Sequence, residues 1–282
     1  MSLAAALARS VRLHVGSIVL LLIRSAPRVS CSVPLGNVRD TLASARSVWP
    51  DSLVAMTERK RTPWVVGVSG ASGTPYAASV IRGLLAAGES VDLVVSRAAR
   101  LTLLDETGIA FRDAHWRGDL AEWLARGADG KPGAFAASDG DVRYWAAGDL
   151  AAGPSSGSYP AKGMLIVPAS TACVAGVALG LSKDLLQRVA SVTLKERRRL
   201  VVAVRETPLS GQTLKQLVAL DEAGAVVLPA SPAFYAGATH IQDLVDFVAG
   251  RVLDAAGVPH GLYRRWEGEL GGASRSREAS GG

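Results

Sequence analysis

A concentration of cations marks one part of the chain. Arg188, Lys195, Arg197, Arg198 and Arg199 lie on or just after a helical stretch that begins near Lys183, and Arg205 closes the apolar run 200–204. Arg188 and Lys195 are seven residues apart and so share one helical face. Arg188 sits in an otherwise apolar stretch, where an unpaired charge is expensive and a phosphate partner would resolve it. Arg197, Arg198 and Arg199 fit a solvated helix end, where the dipole favours cations.

A second set of residues is small and hydroxyl-rich, and recurs after successive apolar runs. Ser69-Gly-Ala-Ser-Gly73 follows the first run, Ser96 the second, and Ala169-Ser-Thr-Ala172 the third; Pro229-Ala-Ser-Pro-Ala-Phe-Tyr235 follows the last. Gly70 and Gly73 bracket a tight turn into a helix whose free N–H groups suit a phosphate. The turn is neither G-x-G-x-x-G, since Ser69 stands at the first glycine, nor a P-loop, since no Gly-Lys-Ser/Thr follows. Together these loops read as a cradle for a phosphorylated planar cofactor. Glu206, beside Arg205, and Glu106, at a helix end, each suit either an ion pair or proton transfer. Tyr235 and Arg251 suit packing or a phosphate equally.

The elements that must position these residues are legible. Trp64–Val68 and Val91–Val95 are β-branched runs, as are 164–168, 200–204 and 225–229, and none alternates with polar residues. Helical stretches separate them: 75–87 closed by Gly88, Arg97–Thr107, and finally Ile241–Ala256. Continuous apolar strands alternating with helices predict a doubly wound parallel α/β sheet covered on both faces. Ligands then bind beyond the carboxyl ends of the strands, where the hydroxyl loops lie. Residues 109–150 read as a surface insertion, with 141–145 as an optional further strand.

Composition excludes other classes. Of 282 residues, 49% are hydrophobic and 20% charged, too apolar for a disordered chain. Cys31 and Cys173 cannot build a disulfide framework, and His14, His115, His240 and His260 lack metal-ligand spacing, so no metal is expected. The net charge of +6 is concentrated upstream: residues 1–55 carry six arginines against two aspartates, whereas the rest has 25 basic and 23 acidic residues. That distribution is not a nucleic-acid footprint. Residues 1–55 read as a leader outside the fold; their apolar run of seven is too short to span a membrane. Met56 reads as a natural start, and 271–282 as a disordered Gly/Ser-rich tail.

Several blocks, in order, carry a family resemblance: Val68-Ser-Gly-Ala-Ser-Gly73, Val95-Ser-Arg-Ala-Ala99 ahead of Glu106-Thr107, Ser156-Gly-Ser158, Leu194-Lys-Glu-Arg-Arg198, Val204-Arg-Glu-Thr-Pro208, Pro232-Ala-Phe-Tyr235 and Arg265-Trp266. The chain resembles the UbiX-type flavin prenyltransferases from about Val65 to Trp266. The resemblance implies a flavodoxin-like (Rossmann-like) three-layer α/β/α fold, with residues 56–270 as one prenyltransferase domain. It also implies reduced FMN as prenyl acceptor and dimethylallyl phosphate as donor. The dimethylallyl group would be joined to flavin N5 and C6, and the prenylated FMN passed to a UbiD-type decarboxylase.

Carried over by motif, Gly70, Ala71 and Ser72 contact FMN, with Ser72 near N5. Ser96, Ser170, Thr171, Ala172 and Cys173 hold the flavin, assisted by Arg205. Lys195, Tyr235 and Arg251 grip the prenyl phosphate, with Arg188 and the loop Ser156, Gly157 and Ser158. Glu206 assists phosphate departure or proton transfer, Glu106 serves deprotonation of the flavin during ring closure, and Trp266 covers the site. The segment departs from the family at Ala169 and ends in Cys173, which leaves Cys173 backbone contacts. Cations for the leaving dianion match the need for electrostatic preorganisation in a metal-free C–O cleavage. The resemblance further implies a homo-oligomer, a dodecamer, with sites between subunits. It implies a cytoplasmic location, or an organelle if the leader is an address. A flavin-dependent cysteine decarboxylase of the same fold and a non-catalytic flavin carrier are the alternative readings.

Overall fold

Strands Trp64–Val68 (β1), Val91–Val95 (β2) and Gly163–Ala169 (β4) are buried along their whole lengths, as their largely apolar composition favours; the one carboxylate, Asp92 of β2, is paired with Arg61 and Tyr159. With Val142–Ala146 (β3), Arg199–Val204 (β5) and Val226–Pro229 (β6) they form one parallel six-stranded sheet in the order β3-β2-β1-β4-β5-β6. The computed structural model describes residues 61–133, 141–266 and 268. The leader 1–55 and tail 271–282 read from the sequence lie outside the described residues.

Side chains alternate across the sheet and divide the core in two. Trp64, Val66 and Val68 of β1 face one cluster with Thr74–Ala86 (α1), Arg97–Thr107 (α2), Trp116–Leu124 (α3) and Ile241–Ala256 (α7). Val65 faces the other, with Thr171–Ala178 (α4), Leu185–Lys195 (α5) and Gly211–Glu222 (α6). This is the expected three-layer, doubly wound arrangement. Ile81 and Leu84 of α1 are fully buried, and each contributes roughly 1.5–3 kcal/mol over exposure. Among the described residues no helix is long and apolar enough to cross a membrane.

The reading of 109–150 as a surface insertion is corrected. Residues 142–146 pair along their length with β2 as an edge strand. Phe111 and Trp123 are buried, their rings meeting edge to face at 6.5 Å. The optional strand at 141–145 is thus β3, displaced by one residue, and its mixed composition, with Arg143 beside Tyr144 and Trp145, reflects the edge position.

The direction in which successive strands are added reverses between β1 and β4, although all strands run parallel. Strand order runs outward from β1 to β3 on one side and from β4 to β6 on the other, which opens a crevice at their carboxyl ends. β1, β2, β4 and β5 each deliver one of the hydroxyl-rich or cationic loops to that end.

Candidate active site

At the reversal, Ser69 ties the exits of β1 and β4 together. Its hydroxyl donates to the Pro168 carbonyl (2.8 Å) and accepts from the Ser170 amide (2.7 Å). Ser69 is thus a structural stitch, and the open loop begins after it. Gly70 permits a close approach, since a Cβ there would lie 2.4 Å from the Ala98 Cβ. Ala71 is buried and Ser72 exposed. Gly73 takes a left-handed φ of +111°, which turns the chain into α1.

The N-terminus of α1 has no cap from its own preceding side chain. Glu106, from the end of α2, supplies one: its carboxylate accepts from the Gly73 amide (2.7 Å), the Thr74 amide (2.8 Å) and the Thr74 hydroxyl (2.6 Å). An anion at a helix N-terminus is favoured by the unpaired N–H groups and the dipole. The sequence-predicted proton carrier therefore stands at the expected loop, but as a cap with both oxygens engaged.

Ser96 and Ser170 begin α2 and α4 as N-caps, accepting from Ala99 (3.1 Å) and Cys173 (3.3 Å) amides. Their hydroxyls are committed, so any anion held here meets the remaining first-turn N–H groups, which include those of Thr171 and Ala172. Cys173 is buried, and burial first, then the nearby Asp184 charge, pushes its thiol up to about 12, opposed by the polar Ser69 side chain. Arg205, directly after β5, spans back to the first loop and donates from Nε to the Ser72 carbonyl (3.0 Å). Tyr76, which sequence reasoning missed, stands close enough for Arg205 to act on it: burial raises its phenol pKa, Arg205 opposes the rise, and Glu106 adds to it. Glu206 is exposed and accepts only from the next amide, Thr207 (3.0 Å), so the ion pair with Arg205 is not formed among the described residues.

A second group gathers around the end of α5. Arg188 donates to the Ser155 carbonyl (3.2 Å) and Arg198 to the Gly157 carbonyl (2.6 Å). The hydroxyls of Ser156 and Ser158 are 2.9 Å apart. A Cβ at Gly157 would lie 2.7 Å from the Lys195 Nζ, which pairs with Glu196. Of the residues that the resemblance assigns to the prenyl phosphate, this group brings together Arg188, Lys195 and the Ser156–Ser158 loop without Tyr235 and Arg251; Arg198, read from the sequence as a solvated helix end, holds that loop.

A third group lies along α7. Tyr235 meets Phe247 and Trp266 edge to face, both at 5.7 Å, and Phe247 packs on Tyr263 at 4.8 Å. Arg251 donates to Asp254 (3.0 Å) and lines a cavity of about 420 Å³ with Pro229, Ser231, Phe247 and Asp254.

Within one copy of the chain the groups are apart. Lys195 precedes β5 and Arg205 follows it, so the six-residue strand between them sets these cations roughly 20 Å apart, at opposite ends of the sheet. Tyr235 follows β6 and stands at the Arg205 end. Among the described residues no three His, Cys, Asp or Glu side chains form a metal-binding group.

The chain is similar to proteins already known. The model of the Flavoprotein family matches residues 53–253. The flavin prenyltransferase UbiX of Streptomyces coelicolor is 86% identical over 211 residues, which cover 75% of this chain and 98% of that protein. The flavin prenyltransferase UbiX of Pseudomonas aeruginosa is 35% identical over 203 residues, covering 71% and 92%. The crystal structure of AnUbiX in complex with FMN and dimethylallyl pyrophosphate superposes with a TM-score of 0.62 at 36% identity, covering 74% of this chain and all of that one. A dodecameric FMN-dependent UbiX-like decarboxylase from Escherichia coli O157:H7 gives 0.61 at 32% identity, with 74% and 100% covered.

Proposed function

The chain belongs to the Flavoprotein family and, within it, to the UbiX flavin prenyltransferases, and on that footing we propose how its own residues divide the reaction. The observation that carries the reading is the convergence of the Ser72 loop, two serine-capped helix starts and Arg205 at the sheet reversal. These residues fit FMN. First-turn amides of α2 and α4 are donors for its phosphate, and Gly70 to Ser72 form a narrow loop against which a flat ring can lie. Bound there, FMN supplies the ring nitrogen N5 and carbon C6 to which the five-carbon unit is joined.

The donor is dimethylallyl phosphate. Its C–O bond breaks as the allyl carbon bonds N5, the phosphate leaves as a dianion and the N5 proton is lost; protonation of the remaining double bond then lets its tertiary carbon bond C6, which gives up its own proton. Lys195, Arg188, Arg251 and the Tyr235 hydroxyl hold the leaving phosphate, and oriented charges of this kind stabilise a developing anion most where water is excluded. Trp266 presents a π-face suited to allyl cation character. Glu206, exposed beside Arg205 with one oxygen unused, carries a proton to or from the departing group. Glu106 orients the Ser72 loop through Gly73 and Thr74, and the carboxylate that fixes α1 stands beside the ring when that proton is lost.

Lys195 lies at the opposite end of its own sheet from Arg205, so in this reading one active site takes Lys195 and the Ser156–Ser158 loop from one copy and Ser72 and Arg205 from another. The working form is a homo-oligomer, a dodecamer, acting in the cytoplasm and passing prenylated FMN to a UbiD-type decarboxylase. Incubating the protein without oxygen with reduced FMN and dimethylallyl phosphate, then weighing the flavin, tests this. A flavin heavier by one C5 unit is expected, and its loss in Lys195→Ala. Recovery of bound but unmodified FMN would reject prenyl transfer. Mixing inactive Lys195→Ala with inactive Ser72→Trp subunits should restore activity; no recovery rejects the shared site.

A further inference from the structure

Asp254, on α7, is the point where four donors meet. Its Oδ1 accepts from His260 Nε2 (3.0 Å) and Arg265 Nη2 (2.7 Å), and its Oδ2 from Arg251 Nη1 (3.0 Å) and the Tyr263 hydroxyl (2.6 Å). A carboxylate offers about four lone-pair sites, so this one is filled. The His260 side chain is buried, and its Nδ1 accepts from the Leu262 amide (3.2 Å), which fixes the proton on Nε2, facing Asp254. The segment after α7 is also packed tightly on the helix, since a Cβ at Gly250 would come within 2.5 Å of the Tyr263 ring and 2.7 Å of His260.

The circuit closes through the aromatic rings. Tyr263 packs on Phe247, Phe247 on Tyr235, and Tyr235 on Trp266, the residue next to Arg265. One carboxylate therefore touches the cation of the third group directly and its aromatic wall through two tethers. Arg251 spends only Nη1 on Asp254 and Tyr263, which leaves a guanidinium with further donors for an anion.

We propose that Asp254 is a positioning residue for the prenyl donor. It fixes Arg251 and, through His260, Tyr263 and Arg265, the return segment that sets Trp266 against Tyr235. This rests on the reading of Arg251, Tyr235 and Trp266 as donor-site residues. The FMN loops are held separately, by Ser69, Glu106 and Arg205, and do not depend on it.

Asp254→Asn and Asp254→Ala separate this from a space-filling role. Asparagine fits the volume but turns an amide donor towards donors, so both variants should raise KM for dimethylallyl phosphate about tenfold and leave FMN affinity unchanged. Acrylamide quenching of Trp266, taken as the difference from the matching Trp266→Phe protein and measured without substrate, should increase in both. Full rescue by asparagine, or an unchanged KM and quenching in the alanine variant, overturns the proposal. If neither variant folds, Arg265→Gln and Tyr263→Phe each remove one tether and should raise KM and quenching several-fold, about half-way on a logarithmic scale; no change in either overturns it. A wild-type protein that transfers no prenyl group rejects the activity and the donor-site role with it, whereas the substrate-free quenching still reports whether Asp254 orders the segment.

Discussion

Arg205 Nε donates to the Ser72 carbonyl across 3.0 Å, which joins the loop after β5 to the loop after β1 over the intervening strand β4. The contact fixes a backbone atom, so it sets the loop that faces the flavin irrespective of the Ser72 side chain. Removing it should weaken FMN binding by about tenfold, the equivalent of ~1.4 kcal/mol and close to the usual worth of a hydrogen bond to a charged group. Flavin fluorescence titration of Arg205→Ala measures this. An affinity equal to the wild type would show that the loop holds its shape without Arg205.

Glu106 offers a contrasting case among the carboxylates. It caps α1 with three accepted hydrogen bonds, while Glu206 is exposed and accepts one from its neighbour. Loss of a helix N-cap costs about 0.5–2 kcal/mol, so Glu106→Ala should lose roughly that stability in urea with no flavin present. Glu206→Ala should change stability by less than about 0.5 kcal/mol, as exposed substitutions do. Equal losses in the two variants would contradict the capping role.

The difference between those two carboxylates was not legible in the sequence. Strand ends and hydroxyl loops were, because continuous apolar runs such as 200–204 read as buried strands and the residues after them must then reach the crevice. Partners were not: Glu106 and Thr74 are 32 residues apart, and nothing in their spacing announces a cap. β3 was legible only as an optional strand at 141–145, since an edge strand exposes one side and loses the apolar signature. The Asp254 cluster left only the Arg251/Asp254 spacing as a trace, because its other members lie in an irregular segment without periodicity.

Cys173 should be chemically silent in the folded protein. Its thiol is buried and raised to about 12, so at pH 8 the reactive thiolate is scarce as well as inaccessible. In a Cys31→Ser background, iodoacetamide should label Cys173 only when urea unfolds the chain, as read by mass spectrometry of the intact protein. Rapid labelling without urea would mean that the loop between β4 and α4 opens to solvent.

Asp254 predicts the acid limb of stability. Burial pushes its carboxyl up, but the hydrogen bonds from Arg265, Tyr263 and His260 outweigh it and hold the pKa at about 2, against an ordinary 3.8. A carboxyl depressed in the folded state stabilises the fold at pH above its unfolded value and loses that contribution as pH falls through the folded one. The contribution is therefore complete above about pH 5 and disappears between roughly pH 4 and pH 2. Asp254→Asn should be less stable than the wild type at pH 7 in urea, with the gap narrowing through that acid window as the wild-type carboxyl protonates. Curves that stay parallel from pH 7 to pH 2.5 would place the acid sensitivity on other groups, such as Asp113, whose pKa is lowered chiefly by its hydrogen bonds from Arg100 and Tyr144.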